Sequence, residues 1–340
     1  MSAGWPAFWM RRGIVAHALL PLAWVFGALS ALRRLAYRLR WLSAWRAPVP
    51  VVVIGNVTVG GSGKTPLVLA AAQALRAAGL HPGIVSRGYR RARGAPEPMA
   101  VLPDSDVRAC GDEPLLLRRL ADCPVWVGRR RAHAAAALLR AHPEVDVLLA
   151  DDGLQHLALL RDVEIVVVDP RGPGNGWLLP SGPLRERWQR RRDATLGPRD
   201  ALASAPGAAA RFALERRLGH ARHLASGARL TLAELCRRHA GNALDAAAGI
   251  GDPQQFFSQL RAAGVPLRHA LALPDHAAFD PDPLAMLTAP AVLVTDKDGL
   301  KCHPAMRTYD RIWSVELELD ADPAFWPWLL ARVARARGTR

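Results

Sequence analysis

Residues 51–65, Val51-Val-Val-Ile-Gly-Asn-Val-Thr-Val-Gly-Gly-Ser-Gly-Lys-Thr65, decide how the rest of the chain is read. The β-branched run predicts a buried strand, the glycines a tight turn, and the Ala/Leu-rich stretch from Pro66 a helix. Strand, glycine turn and helix in that order make a P-loop. Gly60, Gly61 and Gly63 let backbone N–H groups turn inward around phosphate oxygens, and the following helix aims its positive dipole end at them. The expected nucleotide loop is Thr58, Val59, Gly60, Gly61, Ser62, Gly63, Lys64 and Thr65, with Lys64 bridging the β- and γ-phosphates and the Thr65 hydroxyl on Mg²⁺. Thr58 replaces the first glycine of the usual G-x-x-x-x-G-K-[ST] pattern. The bland alternative is a glycine-rich βα turn that binds nothing.

Outward from this stretch, short apolar runs alternate with Ala/Leu-rich helical stretches, the pattern of a parallel α/β sheet. Strands are expected at Val51–Ile54, Gly83–Ser86, Pro124–Val127, Val145–Ala150 and Glu164–Val168, and helices at Pro66–Ala78, Glu113–Leu120 and Arg129–Ala141. From Arg185 to Ala210 the composition turns to Arg, Gly, Pro and Ala without clear periodicity, which predicts a domain boundary or exposed loop. A second α/β set follows: strand Ala246–Ile250, helix Pro253–Ala263, strands Ala291–Thr295 and Ile312–Leu317, and a closing helix from Pro323. The expected architecture is α/β, a P-loop NTPase-like parallel sheet with a second, smaller lobe. The expected division is an anchor over 1–46, a core over 47–200 and a lobe over 201–340.

The 340 residues are 50% hydrophobic and 22% charged, which excludes a disordered or collagen-like chain. The four cysteines form no C-x-x-C pair, so neither a zinc ribbon nor a redox dithiol is indicated. A net charge of +15 favours an anionic partner: nucleic acid, membrane surface or phosphorylated substrate. Only three of the 45 basic residues are lysines, so a retained lysine says more than an arginine.

Residues Ile14 to Leu32 are apolar apart from His17 and Ser30. A helix of this length reaches roughly 28 Å, close to one hydrocarbon thickness. Arginines flank it on both sides, and Trp5, Trp9, Trp41 and Trp45 lie where an interfacial belt would place them. An export signal, a spanning helix, a core helix and an interfacial anchor all compete. Pro21 and the arginines up to Arg46 favour the interfacial, monotopic form.

Four further groups are candidates for chemistry. Asp151 and Asp152 close the strand Val145-Asp-Val-Leu-Leu-Ala, the position from which a second carboxylate reaches Mg²⁺ in P-loop enzymes; the bland role is a solvated turn. Asp112 and Glu113 open a helix after Gly111, where the plain role is N-capping with Asp112 as cap. Arg185-Glu186 begins a run to Arg192 that otherwise reads as a solvated or membrane-facing basic stretch, and His276, alone, carries almost no signal.

Taken together, Gly55–Pro66, Ser86-Arg-Gly-Tyr89, Gly111-Asp-Glu-Pro114, Asp151-Asp-Gly-Leu-Gln-His156, Leu179–Glu186, Gly249-Ile-Gly-Asp-Pro253, Pro274-Asp-His276 and Thr295-Asp-Lys-Asp298 resemble, in order, the tetraacyldisaccharide 4′-kinase family. Thr58 is part of that family's pattern; Leu154 stands where an aromatic is common and Asp296 where a Glu is common. The resemblance implies transfer of the γ-phosphoryl of ATP, with Mg²⁺, to the 4′-hydroxyl of a tetraacylated glucosamine disaccharide 1-phosphate, giving lipid IVA. It implies a protein held peripherally or monotopically at the cytoplasmic face of the bacterial inner membrane, with a lipid substrate, no nucleic acid and no obligate protein partner. By the same resemblance Asp112 is the candidate base, assisted by His276, with Lys64 at the phosphates and Thr65, Asp151 and Asp152 on the metal side. Asn56, Arg87, Gln155, Arg185 and Glu186 are candidate lipid-site or supporting residues.

Two rival readings are weaker. A guanine-nucleotide reader needs an Asp two residues after Lys297, where Gly299 stands. A membrane-bound positioning ATPase would turn over ATP without a lipid acceptor.

Overall fold

The computed structural model describes residues 5–60, 63–89, 91–92, 94–203, 205, 207–239, 242–275, 277, 283–303, 305–306 and 308–339. Gly61, Ser62 and His276 lie outside the described residues. Two compact units are present, Trp5–Glu215 with Ala321–Arg340, and Arg216–Asp320.

The larger unit begins with helices α1 (Ile14–Ala18) and α2 (Leu20–Arg38). It continues through β1 (Val51–Gly55), α3 (Lys64–Ala77), β2 (Pro82–Ser86), β3 (Met99–Val101), α4 (Val107–Cys110), α5 (Asp112–Leu120), β4 (Val125–Val127), α6 (Arg131–Ala141), β5 (Val147–Asp151), β6 (Val163–Val167), β7 (Arg192–Gly197), α7 (Arg199–Ala203) and the start of β8 (Ala208–His223). The sheet order is β8-β7-β6-β1-β5-β2-β4-β3. The pairs that include β1 and β5 are parallel, and edge strand β3 runs antiparallel against β4. Every residue of β1 and β5 is buried, as a parallel sheet covered on both faces requires. Helix α3 turns Leu67, Val68, Ala71, Ala72 and Leu75 inward, the single stripe that helical spacing produces.

The stretch expected to be a loop or boundary, 185–210, instead contains β7, α7 and the first residues of β8, and the residues of β7 from Ala194 to Gly197 are buried. The reason lies in a buried arginine. Arg192 donates to the Thr195 hydroxyl at 2.7 Å and to the Trp188 carbonyl at 3.0 Å, and lies 5.5 Å from the Trp188 ring centroid. Burial pulls its pKa down to about 10. The run that reads as solvated therefore supplies core.

The apolar amino-terminal run also differs from expectation, because it breaks near Pro21 into α1 and α2. Proline fits a first helical turn better than an interior. Trp24, Leu22 and Leu29 stand exposed on α2, and Ala23 is its one buried residue. Among the described residues no helix is long and apolar enough to cross a membrane. The indole N–H groups of Trp5 and Trp9 donate to the carbonyls of Val59 and Pro180.

The smaller unit holds the end of β8, β9 (Arg229–Leu230), α8 (Leu232–Arg238), β10 (Leu244–Ala248), α9 (Pro253–Ala262), β11 (Leu267–Ala272), β12 (Val292–Thr295), α10 (Asp296–Gly299) and β13 (Ile312–Ala321). Strands β11, β10, β12 and β13 pair in parallel, and Phe256, Phe257 and Leu260 of α9 pack with Ala246, Leu293 and Trp313. Asp298 is fully buried, taking the Thr295 hydroxyl at 2.7 Å, Lys301 Nζ at 2.9 Å and the Gly249 N–H at 2.9 Å. The Thr295–Asp298 motif thus joins the turn at Gly249. The closing helix, α11 (Phe325–Gly338), expected with this lobe, packs on the larger unit, with Phe325 5.4 Å and Trp328 5.5 Å from Phe212.

Candidate active site

Strands β1, β2 and β5 run parallel and end on the same edge, so Gly55, Ser86 and Asp151 lie at neighbouring strand termini. Ligands of open α/β sheets sit outside such carboxyl ends. The loop after β1 lies against residues 183–185. The Val59 N–H donates to the Pro183 carbonyl at 2.9 Å, and the Arg185 N–H donates to the Val57 carbonyl at 2.7 Å. That pairing carries Arg185 and Glu186 to the loop. Gly60 has φ +107° and Gly63, which caps α3, has φ +80°, values that favour glycine.

Lys64 opens α3 with Thr65 buried beside it. Its Nζ stands 3.8 Å from Asp152 Oδ1, and Arg185 Nη1 reaches Asp152 Oδ2 at 3.2 Å. Burial opposes the charge on Asp152, but Lys64 and then Arg185 outweigh it and hold this carboxyl below its usual range. Asp151 is the contrary case. It is buried, its Oδ2 accepts from the Ser86 hydroxyl at 3.3 Å, and its Oδ1 has no hydrogen-bond partner among the described residues. Burial, then Glu113 and Asp152, push its pKa up.

Asn56 is fully buried and its Nδ2 donates to the Gly60 carbonyl at 3.1 Å. Gln155 Nε2 donates to Glu186 Oε1 at 2.9 Å and to the Asn56 carbonyl at 3.4 Å. Glu186 also pairs with Arg190 at 3.3 Å, and Arg190 with Glu164 at 2.7 Å. Gln155 and Glu186 therefore brace the loop from beneath. Arg87 is exposed on the loop after β2.

Asp112 is buried as the first residue of α5, and its carboxylate accepts from the Glu113 N–H at 3.0 Å. The helix cap is Gly111, at φ +93°, and not Asp112 as expected. A Cβ on Gly88 would come within 2.8 Å of the Cys110 carbonyl, so the Ser86–Tyr89 loop and the head of α5 approach backbone to backbone.

Two residues with no role assigned from sequence belong to the cluster. Arg131 is buried and its Nη2 donates to the Asp152 carbonyl at 3.2 Å, while its backbone N–H donates to His156 Nε2 at 3.0 Å. Within an arginine triplet nothing singled it out; His156 sat inside a quoted motif. Burial, then Arg131, depress the His156 pKa from 6.5 to about 4, so the folded protein keeps this ring neutral. The folded state then binds fewer protons than the unfolded one below 6.5. Stability from this group is complete above that value and drains away as pH falls toward about 4. In urea melts, His156→Gln should lose less stability than the parent protein across this window; parallel losses would remove His156 from the acid response.

An α/β sheet that brings a lysine, a helix N-terminus and two aspartates to one edge is the build of an enzyme that handles phosphate. Residues 15–334 match the family model described as tetraacyldisaccharide-1-P 4′-kinase, and the chain belongs to that family, the ATP-dependent kinases of lipid A biosynthesis. It is 47% identical over 335 residues to the tetraacyldisaccharide 4′-kinase of Herminiimonas arsenicoxydans, covering 93% of this chain and 91% of the relative. The enzyme of that name from Bordetella parapertussis is 46% identical over 336 residues, 97% of this chain and 95% of the relative. The fold matches the crystal structure of LpxK from Aquifex aeolicus in complex with ATP, with TM-score 0.77 and 24% identity over 95% of this chain and 99% of that one.

Proposed function

We propose that this chain transfers the γ-phosphoryl of ATP to the 4′-hydroxyl of a tetraacyldisaccharide 1-phosphate, yielding lipid IVA. The observation that carries the reading is the ion cluster of Lys64, Asp152 and Arg185, at 3.8 and 3.2 Å, next in sequence to an Asp151 oxygen that has no donor among the described residues. Lys64 and the loop Thr58–Thr65 receive the triphosphate. Thr65, Asp151 and Asp152 are the residues that would hold Mg²⁺, and a buried carboxylate oxygen without a donor fits that use. The ion, when bound, supplies neutralisation of the β- and γ-phosphates. Asp112 accepts the proton of the attacking hydroxyl, with His276 tuning it. Arg185 orients Asp152, while Asn56, Gln155 and Glu186 fix the loop and Arg87 offers charge to the phosphorylated lipid.

The test is incubation with γ-labelled ATP, Mg²⁺ and a defined disaccharide 1-phosphate. Label should move to the lipid. Release of label as inorganic phosphate alone, independent of acceptor, would favour the positioning-ATPase reading instead.

In this reading the anchor over 1–46 lies peripherally on the cytoplasmic face of the inner membrane. Support comes from the apolar side chains that α2 leaves in solvent, Trp24 being 69% exposed. Replacing Leu22, Trp24 and Leu29 together by Ser should shift the protein toward the soluble fraction and raise KM for acceptor in vesicles. Turnover with detergent-dispersed acceptor should stay near that of the parent. Unchanged sedimentation with membranes would place the anchor elsewhere.

A further inference from the structure

Trp5 and Arg171 lie far apart in sequence and outside the glycine loop, yet they meet at its entrance. The Trp5 indole N–H donates to the Val59 carbonyl at 2.8 Å. Arg171 lies over the same ring, its guanidinium carbon 4.3 Å from the centroid. The guanidinium is fixed by the buried Asp169 carboxylate, which accepts from Nε at 2.6 Å and from Nη2 at 3.1 Å. A Cβ on Gly60 would lie 3.5 Å from Trp5 Nε1 and 3.5 Å from Arg171 Nη2. The pair therefore covers the α-carbon side of Gly60, while Asn56 holds its carbonyl at 3.1 Å.

The segment that carries Trp5 is fastened along its length. Trp9 Nε1 donates to the Pro180 carbonyl at 2.9 Å, Asn175 Nδ2 to the Phe8 carbonyl at 3.1 Å, and Arg12 Nε to the Asn175 carbonyl at 3.1 Å. The Ser181 hydroxyl closes the series on the Ala16 carbonyl at 2.6 Å. Residues 5–16 are thus tied to the unit that bears the glycine loop, and the apolar helix α2 begins only after them.

We propose that Trp5 and Arg171 are positioning residues of the nucleotide site, holding Val59 and Gly60 in the conformation that receives the phosphates of a nucleoside triphosphate. The proposal rests on reading the glycine loop as the donor site. A glycine-rich loop has many backbone states, and a loop left free must be ordered by its ligand, which weakens binding. The stacked indole and guanidinium remove that freedom beforehand. Loss of the pair should therefore appear in nucleotide affinity rather than in turnover at saturation.

The test uses the full chain and four variants: Trp5→Ala, Trp5→Phe, Arg171→Ala and Arg171→Lys. Kd for ATP, KM for ATP and for detergent-dispersed acceptor, kcat and Tm are measured for each. Trp5→Ala and Arg171→Ala should raise Kd and KM for ATP about five- to twentyfold, with acceptor KM and kcat within about twofold. Trp5→Phe keeps a ring but loses the N–H donor and should fall between. Arg171→Lys should not restore affinity, because an ammonium cannot lie flat on the indole and fork to Asp169 together. Unchanged ATP affinity in the Ala variants would overturn the proposal, as would full rescue by Lys or losses that follow Tm and fall equally on ATP and acceptor. If the parent protein bound no ATP, or Lys64→Ala bound it and turned over as well as the parent, the donor-site reading itself would fall first.

Discussion

Lys64→Ala should lower phosphoryl transfer by roughly a hundredfold or more, the scale expected when a preorganised charge facing the developing negative charge is removed. The side chain is 11% exposed, so water screens its charge little. The loss should be chemical rather than structural, because Asp152 retains Arg185 at 3.2 Å after the substitution. Single-turnover transfer from γ-labelled ATP measures the effect, and acceptor binding, followed separately, should survive. Near-normal transfer would show that the phosphates are received somewhere other than the head of α3.

How much of this was legible in the sequence follows from where the determining forces act. β1 and β5 are continuous apolar runs, so hydrophobicity alone specifies them, and the lysine and aspartates at their ends come with them. β7 was hidden because its first residue is an arginine whose polar partners, Thr195 and the Trp188 carbonyl, are visible only after folding. β11 was missed for the opposite reason: an edge strand with His269 and Arg268 exposed carries little apolar signal. The contacts that hold the glycine loop span 54 residues from Trp5 to Val59, and those fixing Trp9 span 171. No local pattern encodes such pairs. A tryptophan ahead of an apolar helix suits a membrane belt as well as a hydrogen bond to a distant carbonyl, and only the fold chooses.

The second large effect concerns Asp112 and His276, read as base and partner in the transfer from ATP to the sugar hydroxyl. A carboxylate accepting a hydroxyl proton works best when a neighbour tunes its proton affinity, and histidine is the side chain suited to that near neutral pH. Because Gly111 and not Asp112 caps α5, changing Asp112 leaves the helix cap in place and forfeits its bond with the Glu113 N–H, worth about 0.5–1.5 kcal/mol. Asp112→Asn preserves that acceptor oxygen while abolishing the base, which separates chemistry from helix stability. Asp112→Asn and His276→Ala should each lower kcat by about a hundredfold or more, with ATP affinity within a few fold. If the residues act as one unit, the double variant should be little worse than the poorer single one. Measured kcat values that multiply fully in the double variant, or a large loss of ATP binding in Asp112→Asn alone, would dissolve the dyad and leave Asp112 as a buried carboxylate holding the first turn of α5.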